Sequence, residues 1–470
     1  MPDVSMQRLP QPEFHGLIGV ARREMTPPPG MYARSWGSAT HDIAEGVHQP
    51  LLATCLVFQD LQRRTELVML AIDVMVLWDQ EAHRVRSAIL ERTGLEPHRL
   101  IVHPSHTHGV SMLLRKDAGR PGGHLIAPYL DSLPPLFCEL IAEARAGVRE
   151  ATLGTKYGRC GLAFNRDAID IASGRDVCGL NPAVQADDTV LVGRVTDSSG
   201  RIMATLVNYA CHPVSLGGGN KLLSPDYVGP MRQVVEEHTG GICVFFQGAA
   251  GDVTPRRSYE ANVEAAEQNG RELGFAVLAT LTGMPPPGHE IVYRGVEESG
   301  TALGIWRATP KPAISNALLA RTVAARLPIR DMPTRAEIQA KMAGKLEHYE
   351  RERLERALAR RELVGDGRTG ELPLTVWRLG DFFFVSTPAE PYTDFQRAVR
   401  AAYPEAAIAV LMASDGARNY LPTPQTYGRD VYQVRVALYE AGALEALRDL
   451  AIANIKDMSA PTPGHSRRLG

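Results

Sequence analysis

The sequence predicts an α/β fold with mixed β-sheets flanked by helices and its active site in loops after strand ends. Three observations predict it. Short apolar runs alternate with amphipathic stretches along the chain. Two strand pairs are joined by turn-forming residues, Asp197-Ser-Ser-Gly200 and Gly380-Asp381. Unusual polar clusters follow directly on several of the apolar runs.

The elements follow in order. Residues 1–16 and 459–470 carry Pro, Gly or charge punctuation and are expected to be loose ends, with one catalytic domain over 17–458. Leu67 to Leu77 is apolar apart from Asp73 and suits a buried strand. Gln80 to Thr93 places Ala82, Val85 and Ile89 on one helical face, with Gly94 as the stop. Leu100 to His103 is a short strand, and Leu136 to Val148 a helix. Val190–Val195 and Ile202–Val207 form the first hairpin. Asp226–His238 is a helix ended by Gly240-Gly241, Ile242–Phe246 a strand, Glu260–Leu281 a helix and Ile291–Val296 a strand. Residues 300–370 change character and predict a helical insertion. Pro-rich loops open it, then Thr334-Arg-Ala-Glu337 forms a capping box ahead of an Arg/Glu-rich run to Leu363. Leu374–Leu379 and Phe382–Val385 make the second hairpin. Ile408–Met412 is a strand and Leu444–Ile455 the closing helix.

Composition excludes several function classes. The chain has 470 residues and a formal net charge of −2, with 44% hydrophobic and 22% charged residues. That balance offers no electrostatic footprint for nucleic acid. No apolar stretch is expected to span a bilayer, and no secretory leader is visible at the N-terminus, so a cytoplasmic location is expected. The six cysteines form no CxxC pair. Reduced thiols are expected, although Cys160 and Cys178 are candidates for a bridge in an oxidising compartment.

The chemistry-bearing residues sit in the post-strand loops. Ser105-His106-Thr107-His108-Gly109 follows the strand ending at His103. A bend there would let His106 bind a metal while His108 faces a substrate. His212, in Asn208-Tyr-Ala-Cys-His-Pro213, ends another apolar strand, and the following proline fixes the turn. Cys211 is read as packing. Gln247 to Pro255 is rich in small residues that let the backbone approach a ligand, but no GK[ST] follows, so it is not a nucleotide loop. Glu390 is presented between prolines in Pro388-Ala-Glu-Pro391. Two imidazoles and a carboxylate are the ligand set of a catalytic zinc with room for water, and zinc lowers the pKa of its water to about 7.

Taken together, these segments resemble the neutral, non-lysosomal ceramidase family, in the same order along the chain. The motifs are Gly19-Val-Ala21, Gly46-Val-His-Gln-Pro-Leu51, SHTHG at 105–109, NYACHP at 208–213, SPD at 224–226, GDVTP at 251–255, PAEP at 388–391 and NYLPTPQTY at 419–427. The resemblance covers most of the chain and implies the catalytic domain of that family without its C-terminal β-sandwich domain. It implies Zn2+ as cofactor, with His106, His212, Glu390 and Tyr420 as ligands and His108 as general base. It implies Arg166 and Tyr432 as catalytic and substrate-contacting residues. Asp252 is expected beside the substrate or orienting a ligand. Thr254 stands where the family has serine. As a nucleophile it is the weaker alternative, because no base adjoins it in sequence. The implied reaction is hydrolysis of the amide of a small N-acyl substrate, expected to be soluble and not long-chain ceramide. A zinc esterase or lactonase and a non-catalytic binding module are the rival readings. A homo-oligomeric state is left open.

Overall fold

The computed structural model describes residues 7–460 apart from 345 and 347. The larger of its two main sheets is built from β1 (Glu13–Glu24), β2 (Leu52–Gln59), β3 (Glu66–Ile72), β4 (Leu100–Pro104), β5 (Arg149–Arg159), β6 (Thr189–Asp197), β7 (Ile202–Tyr209) and β8 (Ile242–Gln247). Their order across the sheet is β8-β7-β6-β5-β1-β2-β3-β4. The outermost pairs, β7–β8 and β3–β4, are parallel, and every pair between them is antiparallel. A hairpin, β9 (His289–Glu298) and β10 (Ala302–Pro310), stands largely exposed. The smaller main sheet contains β11 (Leu318–Pro328), β12 (Thr369–Leu379), β13 (Phe382–Ser386) and β14 (Ala407–Leu411) in that order, with β13–β14 parallel.

The two sheets pack face to face, and the sequence explains why both faces of each are buried. Side chains alternate across a strand with period two. On β2, Leu56 and Phe58 enter the layer between the sheets, where they meet Trp377, Phe382 and Phe384. Cys55 and Val57 point the other way, toward helices α1 (Asp79–Thr93), α2 (Ile126–Ala146), α3 (Val228–Thr239) and α4 (Glu264–Thr282). On β14, Ala407, Ala409 and Leu411 face the inter-sheet layer. Ile408 and Val410 face the opposite side, under α7 (Thr393–Ala402) and α9 (Ala443–Ser459). The architecture is therefore four layers, helix–sheet–sheet–helix. A strand buried on both faces reads as a continuous apolar run, which is how β3, β8 and β14 look in the sequence.

Parallel neighbours end at the same edge, and ligand sites form beyond the carboxyl ends of such strands. Here the ends of β4, β7, β8, β13 and β14 are stitched together. His103, fully buried at the end of β4, accepts from the Gln247 backbone N–H at 2.8 Å and bonds Ser414 Oγ at 2.8 Å. Burial pushes its pKa down to about 3, so it is a neutral structural ring. The Asn208 amide donates to the carbonyls of Phe246 and Val410 at 3.0 and 2.9 Å, tying one sheet to the other.

Several expectations are corrected. Residues 13–16 are not loose: they begin β1, an interior strand of the large sheet. Residues 1–6 and 461–470 lie outside the described residues. The 300–370 region is not mainly helical, because β10 and β11 occupy places read as loop. Their sequences alternate poorly, since much of each strand is exposed. The capping box at Thr334–Glu337 is present, but it starts α5 (Arg335–Met342). The charged run to Val364 is a separate helix, α6 (His348–Val364). Helix α2 begins ten residues earlier than expected and contains Pro134 and Pro135. With its preceding turn it is long and apolar enough to cross a membrane by length and composition, contrary to expectation. Its Leu130, Leu133, Phe137 and Ile141 are spent on the core. All six cysteines are free thiols, as expected, and the alternative bridge between Cys160 and Cys178 is not formed.

Candidate metal centre and active site

His106, His212, Glu390 and Tyr420 each arrive on a segment beyond the end of a parallel-paired strand. His106 follows β4 and takes a left-handed backbone conformation, φ +64°. That bend separates its ring from that of His108. The His106 Nδ1–H is directed to the Met75 carbonyl at 2.7 Å, and the ring is buried. His212 follows β7, is fully buried, and directs Nδ1 to the Ala250 carbonyl at 2.7 Å. A carbonyl can only accept, so both rings carry their proton on Nδ1 and present a bare Nε2. Both Nε2 atoms face one oxygen of Glu390, at 3.3 Å from His106 and 3.4 Å from His212. That Oε2 is buried and has no hydrogen-bond donor among the described residues. Burial pushes the His212 pKa down to about 3, so that ring is neutral.

Three acceptors thus point their lone pairs at one another. That arrangement is unfavourable unless a cation lies between them. The spacing also fits. Tetrahedral zinc bonds of about 2.0–2.1 Å set neighbouring donor atoms about 3.3–3.4 Å apart. Tyr420 adds a fourth donor atom, its phenolic oxygen. It is buried, and its hydroxyl lies 3.5 Å from His212 Nε2. Glu390 and Tyr420 are brought together by a short parallel pairing in which Glu390 opposes Tyr420 and Pro391 opposes Leu421.

His108 stands apart from this set. Its ring centroid is 5.2 Å from that of His106 and 5.8 Å from that of His212, and the three histidines could together hold a metal. It makes no contact within ion-pair distance of Glu390, unlike the other two. Its Nε2 is buried without a partner among the described residues. Burial and then the neighbouring imidazoles push its pKa well below the usual histidine value, so the ring is neutral.

Arg166 is brought beside Tyr420 by a two-stranded ribbon pairing Ala163–Asn165 with Val253–Pro255. Its guanidinium is buried, lies over the Tyr420 ring at 5.4 Å, and donates twice to the Gly251 carbonyl at 2.8 and 3.1 Å. Tyr432 is 54% exposed, with its ring 5.9 Å from that of Tyr420, which places it at the rim. Asp252 does not face the centre. Its carboxylate accepts from the Thr393 N–H at 2.7 Å and the Thr393 hydroxyl at 2.8 Å, and so caps α7 directly after the Glu390 segment. Thr254 is fully buried, and its hydroxyl has no base beside it among the described residues.

Sequence reading missed two aromatic residues. Trp36 packs against both His108 and Tyr259, with ring centroids at 5.3 and 5.8 Å. Together with Ser35, His41 and Asn220, it lines a pocket that reaches His108. Both lie in loops without strand periodicity. The carbonyls of Met75 and Ala250, which set the histidine tautomers, have no sequence signature at all.

No protein-family model and no curated protein matches the sequence. Two solved structures are similar over 97% of this chain and 76% of their own. One is a ceramidase complexed with C2, with a TM-score of 0.67 and 15% identity. The other is the neutral ceramidase from Pseudomonas aeruginosa, with a TM-score of 0.65 and 18% identity. At such identity the likeness is one of three-dimensional architecture. The chain has the neutral-ceramidase fold.

Proposed function

We propose that the protein is a zinc-dependent hydrolase that cleaves the amide bond of an N-acyl substrate. The observation that carries this reading is the convergence of two unprotonated imidazole nitrogens on an unpartnered carboxylate oxygen at tetrahedral spacing. His106, His212 and Glu390 would hold the ion, with Tyr420 as the fourth ligand. Bound there, zinc supplies Lewis-acid polarisation of a carbonyl and a water of lowered pKa.

The chain's own residues supply the rest. His108 adjoins the ligand set with an unpartnered ring nitrogen, so it accepts the proton of the attacking water and returns one to the departing nitrogen. The C–N bond breaks, the acyl carbon gains the water oxygen, and the products are a carboxylic acid and an amine. Trp36 covers one side of His108 and limits water around it. Arg166, held by Gly251, offers a fixed cation to the substrate, and Tyr432 contacts it at the rim. The fold's likeness to ceramidases, which are amide hydrolases by name, supports the reaction class.

The test is hydrolysis of a panel of N-acyl amines and N-acyl amino acids, with and without chelator. Chelator-sensitive release of amine is expected. Hydrolysis that survives complete metal removal would refute the zinc reading.

A further inference from the structure

We propose that the substrate carries a carboxylate on its amine side, as an N-acyl amino acid does, and that Arg166, Tyr259 and Thr254 bind it. This rests on the amidase reading of the neighbouring centre.

The first observation is an uncompensated charge. Arg166 is only 4% exposed, yet among the described residues no carboxylate lies within ion-pair distance of it. The fully buried cation of α3, Arg232, instead has a two-pronged partner in Asp73 at 2.6 and 2.8 Å. A buried cation without a counter-charge is costly, and an arriving anion removes that cost. The Gly251 carbonyl fixes Nε and Nη2, so the guanidinium is held in place ahead of binding.

The second observation is a pair of orphaned hydroxyls. Thr254 Oγ1 and Tyr259 OH are both buried and lie beside one another near Cys178, and neither makes a hydrogen bond of ordinary geometry among the described residues. Tyr259 adjoins both Thr254 and Arg166. Unpaired buried hydroxyls are rare, and each lost partner is unfavourable. Tyr259 also has φ +64°, a left-handed conformation uncommon for an aromatic residue and often found where a side chain is aimed for function. Its ring is braced edge-on by Trp36. The cation and the two hydroxyls adjoin one another, and Trp36 links Tyr259 to His108 at the proposed amide-cleaving centre. A carboxylate, which only accepts hydrogen bonds, matches that donor set.

The experiment compares N-hexanoyl-leucine with N-hexanoyl-isopentylamine, which lacks only the carboxylate. For the wild type, kcat/KM should favour the acid by about 100-fold, as a charge-assisted bidentate contact allows. Arg166→Met should bring that ratio close to one, and Tyr259→Phe should lower it by about tenfold. Calorimetry on the full-length, metal-stripped protein gives a readout independent of turnover. The acid should bind, and the neutral amide should bind at least tenfold more weakly. Equal kcat/KM for the two amides overturns the inference while leaving the amidase reading in place. If neither amide is cleaved, the amidase reading fails, and the calorimetry still decides: equal affinities overturn the carboxylate site. Should Arg166→Met not fold, the wild-type ratio and Tyr259→Phe decide alone.

Discussion

Replacing Asp252 by Asn isolates one buried charge at the base of the active site. Asp252 is 5% exposed, and burial raises its pKa from 3.8 to about 6, although two bonds from Thr393 oppose the rise. A raised carboxyl pKa means that the fold prefers the protonated form. That contribution is present in full below the unfolded value and is lost as pH rises through about 6. A shift of roughly two units corresponds to about 3 kcal/mol. Asn keeps the geometry, because its oxygen can accept from the Thr393 N–H and its amide can donate to the Thr393 hydroxyl. The unfolding free energy of the wild type minus that of Asp252→Asn should therefore fall by about 2.5 kcal/mol between about pH 4 and pH 7.5. Urea melts of both metal-stripped proteins across that range measure it. A difference that stays flat, or that rises with pH, would refute the reasoning. Asp252→Ala, by contrast, strands both Thr393 groups and should cost about 2–5 kcal/mol at any pH.

Other substitutions separate the roles within the site. His106→Ala should lose both zinc and activity, whereas His108→Ala should keep zinc and lose roughly 10²–10⁴ in kcat; elemental analysis beside steady-state kinetics checks both. Gly251→Ala would place a Cβ 2.8 Å from the Glu390 carbonyl oxygen and 2.9 Å from the Tyr392 ring, so zinc affinity and Tm should both drop. Asp73→Ala leaves Arg232 buried without its partner and should destabilise the protein by about 3–5 kcal/mol, measured by denaturant melts.

Much of the fold was legible because doubly buried strands read as apolar runs. β3, β8 and β14 were found for that reason, and Gly94 and Gly240 ended α1 and α3 in left-handed conformations as expected. The layer order was not legible. Alternation along β2 looks continuous when both of its faces are apolar, so nothing in Leu52–Gln59 tells which side meets a sheet and which a helix. β10 and β11 were read as loop because small residues and prolines in and around them leave no polar–apolar alternation of period two. At the site, His106, His212, Glu390 and Tyr420, the set that the resemblance implied, lie close together although they are far apart in sequence. The bonds of Asp252 to Thr393, just after the Glu390 segment, were not legible, because helix capping by a residue far away in sequence leaves no local pattern. Trp36 and Tyr259 were invisible because aromatic residues in loops look alike whether they line a site or the surface.

The central claim is the identity of the metal and of the atoms that hold it. Anomalous diffraction from crystals of the zinc-loaded protein, measured on both sides of the zinc absorption edge, addresses it most directly. The account predicts a single strong peak about 2.0–2.1 Å from His106 Nε2, His212 Nε2 and Glu390 Oε2, with the Tyr420 oxygen completing the set and His108 outside it. The absence of a peak, or a peak ligated by His108 in place of Glu390, would contradict it.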